Sequence, residues 1–326
     1  MDQQKVLVAL EDVSTYFTVS GGMLRGKRTV KAVDGVSLEI REGETLGLVG
    51  ESGCGKSTLG RTIVRLNEPT AGRILFEGKD VTELKGEALA QFRRETQMIF
   101  QDPYASLDPR MTIGEIIREP MVIHGLYGTE KQREEKVVEL LQTVGLKPDH
   151  IRRYPHEFSG GQRQRISIAR TLALQPKFII CDEPISALDV SIQAQIINIL
   201  KRIQRETGIA YLFIAHDLSM VKHISHRIAV MYLGHIVEVG ESDTIYRTPM
   251  HPYTKALLSA IPIPDPIRGK NRHRIPLGGE IPSPIDPPAG CPFCTRCPDA
   301  EERCFTQRPQ LSQRGDRAVA CFALEE

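Results

Sequence analysis

One short stretch, Gly50-Glu51-Ser52-Gly53-Cys54-Gly55-Lys56-Ser57-Thr58, constrains this chain more than any other. It follows the pattern glycine, four free positions, then Gly-Lys-Ser, which a chain of this length carries by chance only about 1% of the time at average residue usage. Its flanks matter as much. Thr45-Leu46-Gly47-Leu48-Val49 is a short apolar run of the kind that forms a buried strand, and the residues from about Thr58 to Leu66 read as a helix. In that context Gly50, Gly53 and Gly55 allow turns that side chains would block, so successive N–H groups converge at the positive end of the following helix. Phosphate is the anion that fits. Lys56 can then reach terminal phosphates, and the Ser57 hydroxyl can complete the octahedral oxygen shell of a magnesium ion.

The rest of the composition limits what such a cradle serves. The chain of 326 residues has room for two domains, or one large domain with an appendage. Its 42 basic and 41 acidic side chains leave no single-sign field of the kind that attracts nucleic acid or anionic lipid. The polar start Met1-Asp2-Gln3-Gln4-Lys5 argues against a signal peptide, and no apolar run reaches the roughly 18 residues of a membrane span. A cytoplasmic location is the expectation.

From Val6 to about Ile40 the pattern is strand-like, broken by a turn at Gly21-Gly22, and an antiparallel sheet ahead of the glycine-rich loop is expected. Tyr16 and Phe17 within it offer an aromatic face to a purine or fill the core. Arg73–Phe76 and Thr96–Phe100 are further short strands, the second leading into Gln101-Asp102-Pro103. Met111–His124 and Glu130–Val144 change to helical spacing, with Ile113, Ile116, Ile117 and Met121 on one stripe and Val137, Val138, Leu140, Leu141 and Val144 on the other. This helical insertion closes at Phe158-Ser159-Gly160-Gly161-Gln162, where Ser159 is a candidate N-cap and the two glycines bare the backbone N–H groups of a second helix start. A second anion site in one chain is redundant unless it serves a neighbour's ligand.

Phe178-Ile179-Ile180-Cys181 reads as a central parallel strand and ends in Asp182-Glu183. Two adjacent carboxylates at the end of a buried strand are costly unless something uses them. Asp182 would hold magnesium through water, and Glu183 would polarise the water that attacks a γ-phosphate. Ser186-Ala187-Leu188-Asp189 then opens a helix from Ser191 to Glu206, and the buried strand Ala210–Ala215 ends in His216, a candidate partner for the γ-phosphate or the water.

These residues together resemble the ATP-binding subunits of ABC transporters. Gly50–Thr58 matches their Walker A, Gln101 their glutamine loop, Phe158–Gln162 their signature with phenylalanine where leucine is commoner, Phe178–Glu183 their Walker B, Ser186–Asp189 their D-loop and His216 their switch histidine. Gln101–Arg110, Tyr154-Pro155-His156-Glu157, Ser186–Ser191 and His251-Pro252-Tyr253-Thr254 further resemble the dipeptide/oligopeptide and nickel importer ATPases, in particular the subunit that pairs with a second, non-identical ATPase. Asp108 stands where that family more often has asparagine.

The resemblance implies an α/β fold: a P-loop NTPase with a RecA-like core, an antiparallel β subdomain, a helical subdomain over about 102–175, and an ATPase domain over 1–260 followed by a C-terminal extension over 261–326. It implies a head-to-tail dimer in which two ATP molecules, with Mg2+, each lie between the P-loop of one subunit and the Ser159-Gly160-Gly161 segment of the other. The second ATPase would be a paralogue or another copy. Two transmembrane permease subunits and, indirectly, an extracytoplasmic substrate-binding protein complete the expected assembly at the cytoplasmic face of the membrane, with no nucleic acid. Gln101 would be the hinge of the helical subdomain, and Phe17 or Tyr16 would stack on adenine. The competing class is a soluble ABC ATPase acting on nucleic acid or ribosomes, which tends to carry two cassettes, long coiled coils or basic arms.

Beyond Ile261 the chain is proline-rich, through Pro262, Pro264, Pro266, Pro276, Pro282, Pro284, Pro287 and Pro288, and an extended segment is expected. Cys291, Cys294, Cys297, Cys304 and Cys321 follow, five of the seven cysteines. Clustered thiols in a cytosolic chain favour a metal site over disulfides, and their spacing suits zinc or an iron–sulfur cluster. The family resemblance implies a [4Fe–4S] cluster on Cys291, Cys297, Cys304 and Cys321, with Zn2+ as the alternative and Cys294 as a spare thiol.

Overall fold

The computed structural model describes residues 5–19, 27–102, 104, 106–186, 188–261 and 275–324. The turn expected at Gly21-Gly22, Ala187 of the Ser186–Asp189 motif, and Pro262, Pro264 and Pro266 lie outside the described residues. The chain divides into two units, Met1–Thr82 with Phe213–Glu326, and Glu83–Leu212.

In the first unit, β1 (Val6–Val19) and β2 (Arg28–Arg41) form the expected antiparallel pair. Val36, Leu38 and Ile40 are buried while Ser37 and Glu39 between them are exposed, the alternation of a sheet with one wet face. With β4 (Ala71–Phe76) and β5 (Lys79–Asp80), the strands run in the order β2-β1-β4-β5. β3 (Thr45–Val49) is buried at every residue and lies parallel to β9 (Arg227–Tyr232), which is antiparallel to β10 (His235–Glu241). Ahead of its C-terminal segment, the described helices of this unit are α1 (Lys56–Ile63), α7 (Leu218–Ile224), α8 (Ser242–Arg247) and α9 (Pro252–Ser259). α1 starts two residues before the expected Thr58 because it begins directly on Gly55, and it stops at Ile63 because Arg65 adopts the left-handed conformation at φ +58°.

Over its described residues 275–290 the proline-rich stretch carries no helix or strand, in line with the expected extended segment, whereas the cysteine-containing part that follows is folded. A 3₁₀ turn at Cys294–Arg296, helix α10 (Glu302–Thr306) and the hairpin β11 (Ser312–Arg314) and β12 (Arg317–Val319) give it local structure, and β12 adds antiparallel to β10. The reason is side-chain burial rather than propensity. Phe293 is wholly enclosed at 0% exposure among Tyr232, Tyr253 and His251, and Arg317 lies 3.7 Å from the fully buried Glu238 of β10.

In the second unit β6 (Thr96–Ile99) and β7 (Phe178–Asp182) pair in parallel, after a helix that periodicity does not reveal, α2 (Gly86–Glu95). The insertion is α3 (Ile113–Ile123) and α4 (Glu130–Thr143), each opened by a reciprocal capping box, Thr112 with Glu115 and Thr129 with Gln132. Ile113, Ile116, Ile117 and Met121 of one, and Val137, Leu140 and Leu141 of the other, are buried as their stripes predict, whereas Val138 is only half-buried. α5 (Gly160–Leu172) packs on both, and α6 (Val190–Thr207) ends at Gly208 with φ +73°. β8 (Ala210–Ala215) spans the division between the units and matches its predicted bounds. Among the described residues no helix is long and apolar enough to cross a membrane.

Candidate functional site

The glycine-rich loop joins β3 to α1, as its pattern requires. Gly55 is the N-cap at φ +108°, and a Cβ there would stand 2.1 Å from the Ala32 carbonyl oxygen, so only glycine closes the loop this tightly. Lys56 turns back along the loop and is 4% exposed, its Nζ donating to the carbonyl oxygens of Gly50 at 2.8 Å and Glu51 at 3.0 Å. The ammonium is thus held over the loop by carbonyl dipoles rather than by a carboxylate. No side-chain hydrogen bond caps α1, so the dipole at its start has no built-in anion. Burial pushes the Cys54 thiol up, against the lowering influence of Lys56 nearby, and keeps it protonated.

Behind the loop stands a group of residues that sequence reasoning missed. The Glu51 N–H donates to the Tyr253 hydroxyl at 2.8 Å, and the Glu51 carboxylate accepts two hydrogen bonds from Arg296, at 2.6 and 3.1 Å. Arg296 Nη1 also donates to the Tyr232 hydroxyl at 3.3 Å. Tyr253 belongs to His251-Pro252-Tyr253-Thr254, legible only as part of a resemblance. Nothing in the spacing of Arg296 among the cysteines signals its role.

In the second unit, β7 delivers Asp182 at 2% exposure, and the next residue, Glu183, has φ +46°. A non-glycine residue in that region costs of order 1–3 kcal/mol and tends to be kept where it aims a functional side chain. Gln101 Nε2 donates to Glu183 Oε2 at 2.9 Å, so two residues that the sequence predicts separately meet. Ser186 Oγ donates to the Glu183 carbonyl at 3.1 Å, and Asp189 precedes α6 as its N-cap with no side-chain cap bond.

Ser159 is the N-cap of α5 as predicted. Its hydroxyl accepts from the Gln162 N–H at 3.4 Å while Gln162 Oε1 accepts from the Ser159 N–H at 3.0 Å. Phe158 is buried edge-on against His150 at 5.1 Å, which accounts for an aromatic at this position. Gly160 and Gly161 form the first turn, where a Cβ on Gly161 would meet Ile192 at 2.5 Å.

The two aromatic candidates on β1 separate cleanly. Tyr16 donates to Asp34 Oδ1 at 2.5 Å, and burial together with that bond raises its pKa. Phe17 is 40% exposed. His216, directly after β8, is exposed, and its neighbour Asp217 caps α7 by accepting from the Ser219 N–H at 2.7 Å.

The C-terminal thiols lie close enough to influence one another. Burial pushes Cys291 up to about 12, with Cys304, Cys294 and Cys297 adding to it, and pushes Cys297 up to about 11, with Asp299, Cys321 and Cys304 adding to it. Gly290 admits the close pass of Cys304, whose carbonyl oxygen would be 2.3 Å from a Cβ there. The donor set is soft and suits a thiophilic metal, yet among the described residues no three His, Cys, Asp or Glu side chains converge to hold an ion.

Comparison with known proteins agrees with this geometry. The family described as ABC transporter matches residues 33–186, and the family described as Oligopeptide/dipeptide transporter, C-terminal region, matches residues 237–304. The oligopeptide transport ATP-binding protein OppF of Salmonella typhimurium is 53% identical over 328 residues, covering 100% of this chain and 98% of the relative. OppF of Bacillus subtilis is 64% identical over 247 residues, 76% of this chain and 81% of the relative. Among solved structures, the dimeric ATP-binding cassette MJ0796 bound to ADP and Pi has a TM-score of 0.64 at 28% identity, covering 72% of this chain and 99% of that one. The phosphate-loop geometry, the Gln101–Glu183 contact and the matched C-terminal region therefore agree: the chain belongs to the ABC transporter ATPases, in the branch that carries the oligopeptide/dipeptide transporter C-terminal region.

Proposed function

We propose that this chain hydrolyses ATP to drive import of di- or oligopeptides through a membrane transporter. The observation that carries the reading is the Glu183 carboxylate, strained into place at the end of a buried strand and held by the Gln101 amide, in a chain with an oligopeptide-transporter C-terminal region. Gly50, Ser52, Gly53, Gly55, Lys56, Ser57 and Thr58 grip the phosphates through backbone N–H groups and the Lys56 ammonium, while Glu51 and Cys54, whose N–H groups donate to the Tyr253 hydroxyl and the Glu51 carbonyl, hold the loop in shape around them. Phe17, with its ring exposed, takes the adenine, since the Tyr16 hydroxyl is engaged by Asp34. Glu183 polarises the attacking water, His216 hydrogen-bonds the γ-phosphate, and Asp189 lines the same ligand. Ser57, Gln101 and Asp182 would hold Mg2+, which when bound neutralises charge on the phosphate oxygens.

The start of α5, with Ser159, Gly160, Gly161 and Gln162, serves ATP bound to a second ATPase subunit, a paralogue or another copy; the dimeric form of MJ0796 supports this pairing. Two permease subunits carry the peptide, delivered by an extracytoplasmic binding protein, and the chain works at the cytoplasmic membrane face. In this reading residues 1–260 are the ATPase domain, about 102–175 its helical subdomain, and 261–326 the extension. Cys291, Cys297, Cys304 and Cys321 are candidate ligands for a [4Fe–4S] cluster, or for Zn2+; absorbance near 400 nm after anaerobic purification of the full chain separates the two. Purification of the intact complex in mild detergent, followed by ATP-dependent peptide uptake into vesicles, tests the whole. Recovery of the chain without permease subunits, or uptake that persists with Glu183→Gln, would overturn it.

A further inference from the structure

The ion pair behind the phosphate loop joins residues 245 positions apart in sequence. Arg296 is enclosed, its side chain 5% exposed, and Glu51 is 24% exposed. The hydrogen bonds of the guanidinium all serve to aim it: Nε to the Gly278 carbonyl at 3.2 Å, Nη1 to Glu51 Oε2 and the Tyr232 hydroxyl, Nη2 to Glu51 Oε1. The fork-to-carboxylate match is the arrangement that gives arginine its specificity over lysine.

A carboxylate at the second position of a loop that binds polyphosphate is a liability. It repels the ligand, and it competes for Lys56, whose Nζ already stands 3.0 Å from the carbonyl oxygen of Glu51 itself. Arg296 removes both problems by neutralising Glu51 from behind while the Tyr253 hydroxyl accepts its N–H. We infer that Arg296, supplied by the C-terminal cysteine segment, is a positioning residue of the phosphate loop: it holds the Glu51 carboxylate away from Lys56 and so keeps the ammonium available to phosphate. The C-terminal segment is thereby part of the nucleotide site and more than an appendage to it. The turn that carries Arg296 has Cys294 as its first residue and is followed by Cys297, so any event that reorders those thiols reaches Lys56 through Glu51.

The inference rests on the reading of the loop as an ATP cradle, and the experiment separates the two. Equilibrium binding of a fluorescent N-methylanthraniloyl ATP with Mg2+ is measured on the full chain. Arg296→Ala is expected to weaken binding about tenfold, and Arg296→Lys, which keeps the charge but not the fork, to weaken it less. The decisive variant is Arg296→Ala combined with Glu51→Gln, which removes the stranded charge and is expected to recover most of the loss. Unchanged affinity in Arg296→Ala, or a loss that Glu51→Gln does not relieve, would overturn the inference and leave Arg296 as a staple for the tail. Should Arg296→Ala fail to fold, as judged by circular dichroism, an affinity in Arg296→Lys as poor as that of Lys56→Ala would overturn it instead. A wild-type chain that binds no ATP would overturn the cradle reading and this inference with it.

Discussion

Two helices of this chain begin at glycine-rich turns, and they treat their own first turn in opposite ways. α1 starts from Gly55, which has no side chain, and no side-chain hydrogen bond caps it. α5 starts from Ser159, whose hydroxyl and Gln162 close a reciprocal box on the helix start. A helix start without a built-in cap depends on an outside anion, whereas a boxed start is complete alone and gains an anion only by competing with its cap, a contact worth about 1 kcal/mol. On the proposed function, the first would grip a ligand within one chain, and the second, stable alone, would yield when a partner presents charge.

The largest expected effect breaks the comparison on the α1 side. Lys56→Ala removes the cation held over the loop, and ATP affinity should fall at least a hundredfold by isothermal titration; near-normal affinity would mean the phosphates lie elsewhere. Glu183→Gln should keep ATP binding and slow turnover of the assembled transporter at least a hundredfold, since loss of a general base costs about 10²–10⁴ in rate. Ser159→Ala sharpens the α5 side. If the hydroxyl also meets a neighbour's phosphate, turnover of the assembled complex should fall roughly tenfold beyond what the loss of about 1 kcal/mol of helix stability explains. A drop in melting temperature with normal turnover would make Ser159 a cap and nothing more.

A separate effect, on stability rather than on turnover, is a pH dependence confined to the first unit. Burial lowers His235 to about 4, with Arg308 adding and Asp34 opposing, and lowers His251, which accepts from the Tyr253 N–H, to about 3. Both stay neutral in the folded chain while the unfolded chain takes up protons near pH 6.5. The stability they permit is therefore full above about pH 6.5 and declines as the pH falls toward 4, by roughly 1 kcal/mol per pH unit for each. Hydrogen exchange should show protection lost over that range around α9 ahead of α5.

The parts of the site that lie within one short segment are legible in the amino-acid order. Strand, loop and α1 follow from Leu46, Leu48 and Val49 being apolar and from glycines at Gly50, Gly53 and Gly55, and the N-cap at Ser159 follows from its side chain and the glycines after it. α2 escapes such a reading because Gly86–Glu95 buries only Phe92 and so shows no apolar stripe. The fold of the segment after the proline-rich stretch escapes it because its order comes from Phe293 and Arg317 finding partners on distant strands.

The sequence by itself singled out the candidates for phosphate, magnesium and water, because such roles depend on residue type at short spacing. Tertiary structure alone decided that Gln101 meets Glu183, that the Tyr16 hydroxyl meets Asp34, and that Arg296 faces Glu51. Each of these is a pairing across tens to hundreds of residues, and a pairing at that range is set by how strands and turns pack, which no local pattern of side chains encodes.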